Sequence, residues 1–467
     1  MKAVFFSLIL FTLALSTFAQ SLDISPLTKT PAGQRVINYF DAFNTGDEAK
    51  LGKFFRENIA ADALKQRPVE PRLAFHRQVR NDFGKVEISR IVSVGDSDIK
   101  VVARSANGAA ISYSFTFEDQ AAKKFTGFTI EPMGDSPPDE KPVAKYPEPT
   151  NRNDFLKVAE RFMDDQAKAD AFSGVVMVAN GDKPIFSKSY GEANSEKHTA
   201  NNIETKFNLG SINKMFTRIA IGQLVKQGKL SFRDKLIKVL PDYPNRDVAS
   251  NITIGQIVTM TSGLGDFFND KFLAADKSKI KTLQDYLPFF VDKPLEFEPG
   301  SRNRYSNAGY LVLGLVIEKL SGTNYYDYVR KNVFKPAGMN ETDSFAINEL
   351  PANTATGYQR TGSLRRSNST VLPGRGSSAG GGYSTVGDML RFSNALRSKK
   401  LEIPADDGTF PTEFKGAGFA GGSEGVNALF ISNGQTGYTI VVLSNYDPPS
   451  AEKPGMQIRD WLKQVKD

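Results

Sequence analysis

The apolar positions of this chain fall into two differently patterned regions on either side of a proline-rich stretch. In residues 21–133, Val36, Ile37, Tyr39, Phe40 and Phe43 recur at helical spacing and predict a helix. The segment "NTGDEAKLGKFF" predicts a second helix, with Thr45 or Asp47 as its N-cap. Four runs with strand character follow, near 85–94, 98–104, 110–118 and 124–131, divided by turn signals such as "GDSD" and "ANGA". Residues 134–150, "GDSPPDEKPVAKYPEPT", contain five prolines and many charges; such a composition buries nothing and predicts a stiff, extended linker.

From about residue 151 the pattern changes. "NDFLKVAERFMDDQAK" predicts a helix, and "FSGVVMVANGDKPIFSKSYG" predicts a β-hairpin turning at Asn180-Gly181-Asp182. "FNLGSINKMFTRIAIGQLVKQGKL" predicts a long apolar-faced helix that opens at Ser211 and stops at Gly228. The chain finishes with a second hairpin, "NALFISNGQTGYTIVVLSN", and the amphipathic "GMQIRDWLKQVKD". Strands at both ends of a domain, with helices between them, predict a mixed α/β (α+β) fold with one antiparallel sheet flanked by helices.

Composition narrows the chemistry. At 467 residues the chain exceeds what one compact core accommodates, and 40% apolar and 24% charged residues are those of a globular protein. Residues 1–19, with one early Lys, a short apolar run and small residues before a cleavage point, predict a signal peptide and an exported protein, periplasmic or secreted. No later stretch is apolar enough to span a membrane. Removing that segment takes away only Lys2, so the net charge falls from +7 to +6. The Lys and Arg residues are dispersed, which argues against a nucleic-acid partner.

There is no Cys, which excludes disulfides, thiolate metal sites and a cysteine nucleophile. Only two His exist, His76 and His198, so a two-His metal site would need both, and a Ser-His-Asp mechanism could draw on no other base. Gly376-Ser377-Ser378-Ala379-Gly380 fits G-x-S-x-G, but that motif's His follows its Ser and none follows residue 198 here. The stretch therefore reads as a flexible Gly/Ser loop.

A nucleophile that needs no His remains. Ser-x-x-Lys occurs at Ser97, Ser211, Ser278 and Ser450, but only Ser211 follows a small residue and opens an apolar-faced helix. At i and i+3 on a helix the Lys214 amine can lie beside the Ser211 hydroxyl, and burial can keep that amine neutral. Taken alone, the local sequence favours a plainer reading, a serine N-cap followed by a solvated lysine. Tyr305-Ser306-Asn307, just before the apolar helix "AGYLVLGLVIEKLSG", adds a phenol able to shuttle protons and an amide able to hold both the lysine and a substrate carbonyl.

With these residues in place, the segment from about 170 to 447 resembles the serine β-lactamase and penicillin-binding-protein superfamily, in the branch of class C β-lactamases and related esterases. The similar stretches occur in the family's order: "FSGVVMVANGDKPIFSKSYGEAN", "TKFNLGSINKMFTRIAIGQLVKQGKLSFRDKL", "ITIGQIVTMTSGLGDF", "FEPGSRNRYSNAGYLVLGLVIEKLSGTNYYDYV", "FKPAGM" and "SAGGGYSTVGDMLRFSNAL". The resemblance implies a β-lactamase-like domain over 151–467 with a helical subdomain. It also implies Ser211 as acylated nucleophile, Lys214 as its base partner, Tyr305 as proton shuttle and Asn307 as a substrate-orienting amide, with no metal or cofactor. The oxyanion hole would use the N–H groups of Ser211 and Gly422.

The third family motif departs. Where the family carries Lys-Thr-Gly or His-x-Gly, this chain has Phe419-Ala420-Gly421. The glycines Gly421 and Gly422 still let a substrate backbone approach, but Phe419 offers no hydrogen bond. Lys415 is about 13 Å away along a strand, and Arg365 and Arg366 are the other cations near a Gly-rich segment. Met260 stands where relatives often have His in "HTSGL". The expected substrate is therefore a neutral, small-molecule or peptide-like ester or amide, or one with a hydrophobic acyl group. A non-catalytic envelope-binding or sensor protein and a DD-peptidase or β-lactamase are the alternatives. Residues 21–133 more weakly resemble the cone-shaped nuclear-transport-factor-two-like and SnoaL-like domains, on "YFDAFNTGDEAKLGKFF", which implies an accessory unit in which His76 is packed or at the surface.

Overall fold

The computed structural model describes residues 24–133 except 67, 96, 106–108 and 119–122, and residues 146–465 except 362–363 and 406–407. The predicted signal peptide and residues 134–145 of the predicted linker lie outside the described residues. The chain divides into two compact units, Met1–Val143 and Ala144–Asp467.

In the first unit the principal helices are α1 (Pro31–Thr45), α2 (Glu48–Asn58) and α3 (Val69–Phe83). Thr30 caps α1 through Gly33 N, and Asp47 caps α2 through Ala49 N and Lys50 N, so Thr45 ends one helix rather than starting the next. Four strands follow, β1 (Val86–Val94), β2 (Asp98–Ser105), β3 (Ala110–Phe117) and β4 (Phe125–Met133), antiparallel in sequence order. Their alternation buries Ile99, Val101, Ala103, Ile111, Tyr113 and Phe115 in one cluster with Tyr39, Phe40, Phe43 and Phe55 from α1 and α2. His76 is buried here, its ring centroid 4.9 Å from that of Phe55 and its Nδ1 2.7 Å from the Arg72 carbonyl.

The second unit begins with α4 (Arg152–Lys168), then the hairpin β5 (Gly174–Asn180) and β6 (Lys183–Tyr190). Helices α5 (Asn213–Lys226), α6 (Asn307–Ser321) and α7 (Val386–Arg397) are the longest of the intervening region, and strands β7 (Gly416–Ser423), β8 (Val426–Asn433) and β9 (Tyr438–Ser444) lead into α8 (Glu452–Leu462). The sheet order is β7-β8-β9-β5-β6, with every pairing antiparallel. This is the expected fold: strands from both ends of the domain close one sheet. The period of two splits the core. Val175, Met177, Phe430 and Val441 face the helical layer of α5, α6 and α7, while Val176, Val178, Leu429 and Val442 pack with Phe155, Phe162 and Trp461 of α4 and α8. Among the described residues no helix is long and apolar enough to cross a membrane. His198 is exposed on a turn, its Nδ1 3.2 Å from Glu192.

Candidate active site

Ser211 does not cap a helix. It sits in a single 3-10 turn, Gly210–Ile212, that runs directly into α5, whose first residues take no side-chain cap. The turn is fixed from three sides. Asn208 Oδ1 accepts from Gly210 N at 2.9 Å, Leu209 N donates to Gly382 O at 2.7 Å, and Gly210 holds φ +51°, a left-handed conformation that glycine adopts without strain. Edge strand β7 lies close against this turn. A Cβ on Gly421 would overlap the Leu209 carbonyl and come within 2.8 Å of Ser211 N, so only glycine permits the approach.

Lys214 lies in the first turn of α5 and is 4% exposed. It is far from a solvated side chain. Its Nζ is 2.7 Å from Asn307 Oδ1, 2.5 Å from the Ala379 carbonyl and 3.2 Å from Ser211 Oγ. Burial draws its pKa down from 10.5 to about 7, opposed by the negative charge of Asp266. The change amounts to about 5 kcal/mol against the ammonium form, so a neutral amine is abundant at physiological pH. A neutral amine has two N–H groups and one lone pair. Asn307 Oδ1 and Ala379 O can only accept, so they take the two N–H groups. The lone pair is left for the Ser211 hydroxyl.

Tyr305, Ser306 and Asn307 are positioned by the start of α6. Ser306 caps the helix by accepting from Gly309 N at 2.9 Å, and its hydroxyl donates to Gly265 O at 2.7 Å. That pins the segment to the loop after Met260, a residue at φ +59° whose carbonyl accepts from Arg304 N. Tyr305, half exposed at 49%, places its hydroxyl 2.5 Å from Ser211 Oγ, and Lys214 Nζ is 4.7 Å from its ring centroid. Burial raises the phenol's pKa above 10, partly offset by the Ser211 hydrogen bond and reinforced by Asp266. At neutral pH the phenol keeps its proton.

The structure thus brings Ser211, Lys214, Tyr305 and Asn307 into mutual contact and sets Gly421 against the serine's turn. Gly422 is the next residue of β7; its backbone nitrogen would lie 2.9 Å from a Cβ placed on Gly210. Phe419 packs against the main core on the same strand face as Gly421, about 7 Å further along. Arg365 is engaged elsewhere: it donates to Asp170 at 3.1 Å and its guanidinium stacks 3.3 Å over the Tyr446 ring.

Two contributors were not foreseen. The Gly376–Gly380 stretch, expected to be a flexible loop, is packed: Ser377 and Ser378 are 2% and 0% exposed, and Ser378 O accepts from Thr217. Burial against α5 is what delivers the Ala379 carbonyl to Lys214. A backbone acceptor leaves no side-chain signature, so only the clustering of small residues in "SSAGGG" hinted at close main-chain approach. The second is Asp266. Its Oδ2 accepts from Asn307 Nδ2 at 2.8 Å and Asn307 N at 3.2 Å, and its Oδ1 from Phe268 N at 3.1 Å. It stands in the quoted stretch "TSGLGDF", where an acidic residue after a Gly-rich turn reads as ordinary loop polarity.

Comparison with known proteins gives consistent results. The Beta-lactamase family model matches residues 158–463. Penicillin-binding protein 4* of Bacillus subtilis (strain 168) is 31% identical over 239 residues, 48% of this chain; the match spans only about half, 52%, of that relative. Among solved structures, the penicillin binding protein from Bacillus halodurans superimposes with a TM-score of 0.57 at 30% identity, over 65% of this chain and 98% of that one. D-amino acid amidase from Ochrobactrum anthropi SV3 shares the fold, with a TM-score of 0.54 at 20% identity over 66% of this chain and 99% of its own.

Proposed function

The chain belongs to the beta-lactamase family, and from that premise we propose that it is an exported serine hydrolase cleaving a neutral ester or amide through an acyl-enzyme on Ser211. The observation that carries this reading is the Lys214 amine, with two carbonyl acceptors and one serine hydroxyl around it. Ser211 Oγ attacks the substrate carbonyl, and its proton passes to Lys214 as the new C–O bond forms. Tyr305, protonated at neutral pH, relays a proton to the departing alcohol or amine as the old bond breaks. The N–H groups of Ser211 and Gly422 hold the oxyanion. Water then attacks the acyl ester, gives up its proton along the same path in reverse, and releases the acid and free serine.

Phe419 supports a neutral or apolar substrate, because no cation stands at the position that would hold a substrate carboxylate. The same residue favours the second reading, a non-catalytic envelope-binding or sensor protein, since the strand lacks a polar partner. The amidase among the structural neighbours is in keeping with an amide or ester substrate. The test is labelling of the mature protein by a fluorophosphonate probe and by a fluorescent penicillin, beside Ser211→Ala. Fluorophosphonate labelling lost in the variant, with weak penicillin labelling, is the expected result. Labelling by neither probe points to the binding protein, and equal labelling by both points to a DD-peptidase or β-lactamase.

A further inference from the structure

Asp266 has no counterpart in the chemistry described so far: it touches neither Ser211 nor Lys214 by any hydrogen bond among the described residues, yet both nitrogens of Asn307 donate to it. Its loop holds it in place through Phe268 N on Oδ1, leaving Oδ2 for the side-chain and main-chain nitrogens of Asn307. Ionised carboxylate oxygens only accept, so Asn307 must turn Nδ2 toward Asp266. The amide then has one orientation, with Oδ1 on Lys214.

We propose that Asp266 is a positioning residue of this site: it locks the Asn307 amide with its oxygen toward Lys214, so that the amine's lone pair is left for Ser211. The assignment rests on the acyl-enzyme reading above. Without the lock, the amide can rotate by half a turn and present an N–H to the amine. That N–H competes with the Ser211 proton for the only lone pair, and the serine loses its base. The carboxylate has a second effect through its charge, favouring the ammonium form of Lys214. The ionisable groups facing that amine among the described residues are Asp266 from its loop and Tyr305 and Tyr310 from the start of α6. The Gly376–Gly380 stretch contributes a carbonyl, and the 3-10 turn before α5 contributes Ser211. Asp266 is therefore the carboxylate against which the amine titrates.

Two substitutions separate the lock from the charge. Asp266→Asn removes the charge but keeps an oxygen able to accept from Asn307; Asp266→Leu removes both. Fluorophosphonate labelling rates are measured from pH 5.5 to 9 for wild type, both variants and Ser211→Ala, with the Lys214 titration followed by NMR on protein carrying 13C-labelled lysine. In Asp266→Asn the midpoint of the rate profile and of the lysine titration moves down by about one pH unit, while the plateau rate stays within about tenfold of wild type. In Asp266→Leu the midpoint moves down likewise and the plateau falls by about 100-fold, the scale of a misplaced catalytic group. A merely structural aspartate would lower thermal stability and active fraction while leaving both midpoints where they were, and that result overturns the proposal. A Leu variant with wild-type plateau rates overturns it too. Absence of labelling in the wild type, with the NMR midpoint still shifted in Asp266→Asn, overturns the acyl-enzyme reading while supporting the contact between Asp266 and the lysine.

Discussion

On one side of Ser211, polar groups are linked in series: Asp266 to Asn307 at 2.8 Å, Asn307 to Lys214 at 2.7 Å, Lys214 to Ser211 at 3.2 Å, with the Ala379 carbonyl closing the amine's remaining valence. On the other side, β7 offers main chain, Gly421, Gly422 and Phe419. The first side is hydrogen-bonded throughout, with Lys214 buried and Ser211, Asn307 and Asp266 partly so, the arrangement in which hydrogen bonds strengthen one another. The second is bare backbone with an apolar side chain. Under the proposed mechanism, proton transfer and substrate recognition fall to different walls, and the family pattern is kept in one and altered in the other. The wall that moves protons has few alternatives, since its members constrain each other. The wall that meets the substrate can change one side chain and alter what is bound while the serine keeps its base.

The largest effects should come from breaking the first wall. Ser211→Ala should lower hydrolysis of an activated aryl ester by about 10⁴-fold or more, because it removes the group that forms the covalent bond. Lys214→Arg sharpens the point. It keeps a cation and hydrogen-bond donors, but a guanidinium does not deprotonate in the working range, so it should be nearly as inactive as Ser211→Ala. If Lys214→Arg retains a tenth of wild-type activity, the amine is not the base.

The same wall predicts a pH dependence whose sign follows from the lysine. The amine must be neutral to accept the serine proton, and its pKa is drawn down to about 7. kcat/KM for a neutral ester should therefore rise from pH 5 to a midpoint near 7 and level off above it, falling about tenfold per pH unit on the acid side. Tyr305 imposes no basic limb until well above neutrality, because its own pKa is raised. A profile falling between pH 7 and 9 would mean that the phenol, and not the amine, limits the rate.

At the junction of the two walls stands Gly421. A Cβ there would run into the Leu209 carbonyl and crowd Ser211 N. Gly421→Ala should displace the nucleophile's turn from β7 and reduce kcat by about 100-fold, with a smaller loss of thermal stability. An equally active Ala variant would show that the close approach of strand and turn is not needed to hold the oxyanion.

How much of this was readable in the chain follows the same division. Side chains with a fixed offset were legible: Ser211 and Lys214 stand three residues apart across the 3-10 turn and the start of α5, and Tyr305 and Asn307 stand at the start of the apolar helix α6. The hairpins at the two ends of the domain, with helices between them, announced a single antiparallel sheet flanked by helices. What could not be read were contacts made by backbone or by position alone. The Ala379 carbonyl has no residue-type signal, and a Gly/Ser run looks the same whether it is loose or packed around a lysine. Asp266 was hidden because its role depends on a loop geometry that brings residue 266 to residue 307. In the first unit, Asp47 and Thr45 were equally good caps on sequence, and the choice of Asp47 follows from α1 extending through Thr45.

The smallest expected effect probes the second wall alone. Phe419 lies on the face of β7 that carries Gly421, and it is only partly buried, so a longer polar side chain can leave the core and reach toward the substrate cleft. Phe419→Lys would supply the ammonium that the strand lacks. A hydrogen bond from an ammonium to a carboxylate contributes about 1.5–3 kcal/mol, which corresponds to roughly 10- to 100-fold in kcat/KM for a substrate ending in a free carboxylate. Desolvating the lysine and losing the ring's packing act against that gain, so the lower figure is the expectation. Activity on a neutral ester should fall by a few-fold at most, because the serine, lysine and tyrosine are untouched. The measurement is the ratio of kcat/KM for two matched esters, one carrying a carboxylate and one its methyl ester, in wild type and variant. A rise in that ratio locates carboxylate selectivity on this strand. An unchanged ratio with intact neutral-ester activity would mean that residue 419 does not face the bound substrate, and that selectivity is set by the opposite rim, where Tyr305 and Phe268 are exposed.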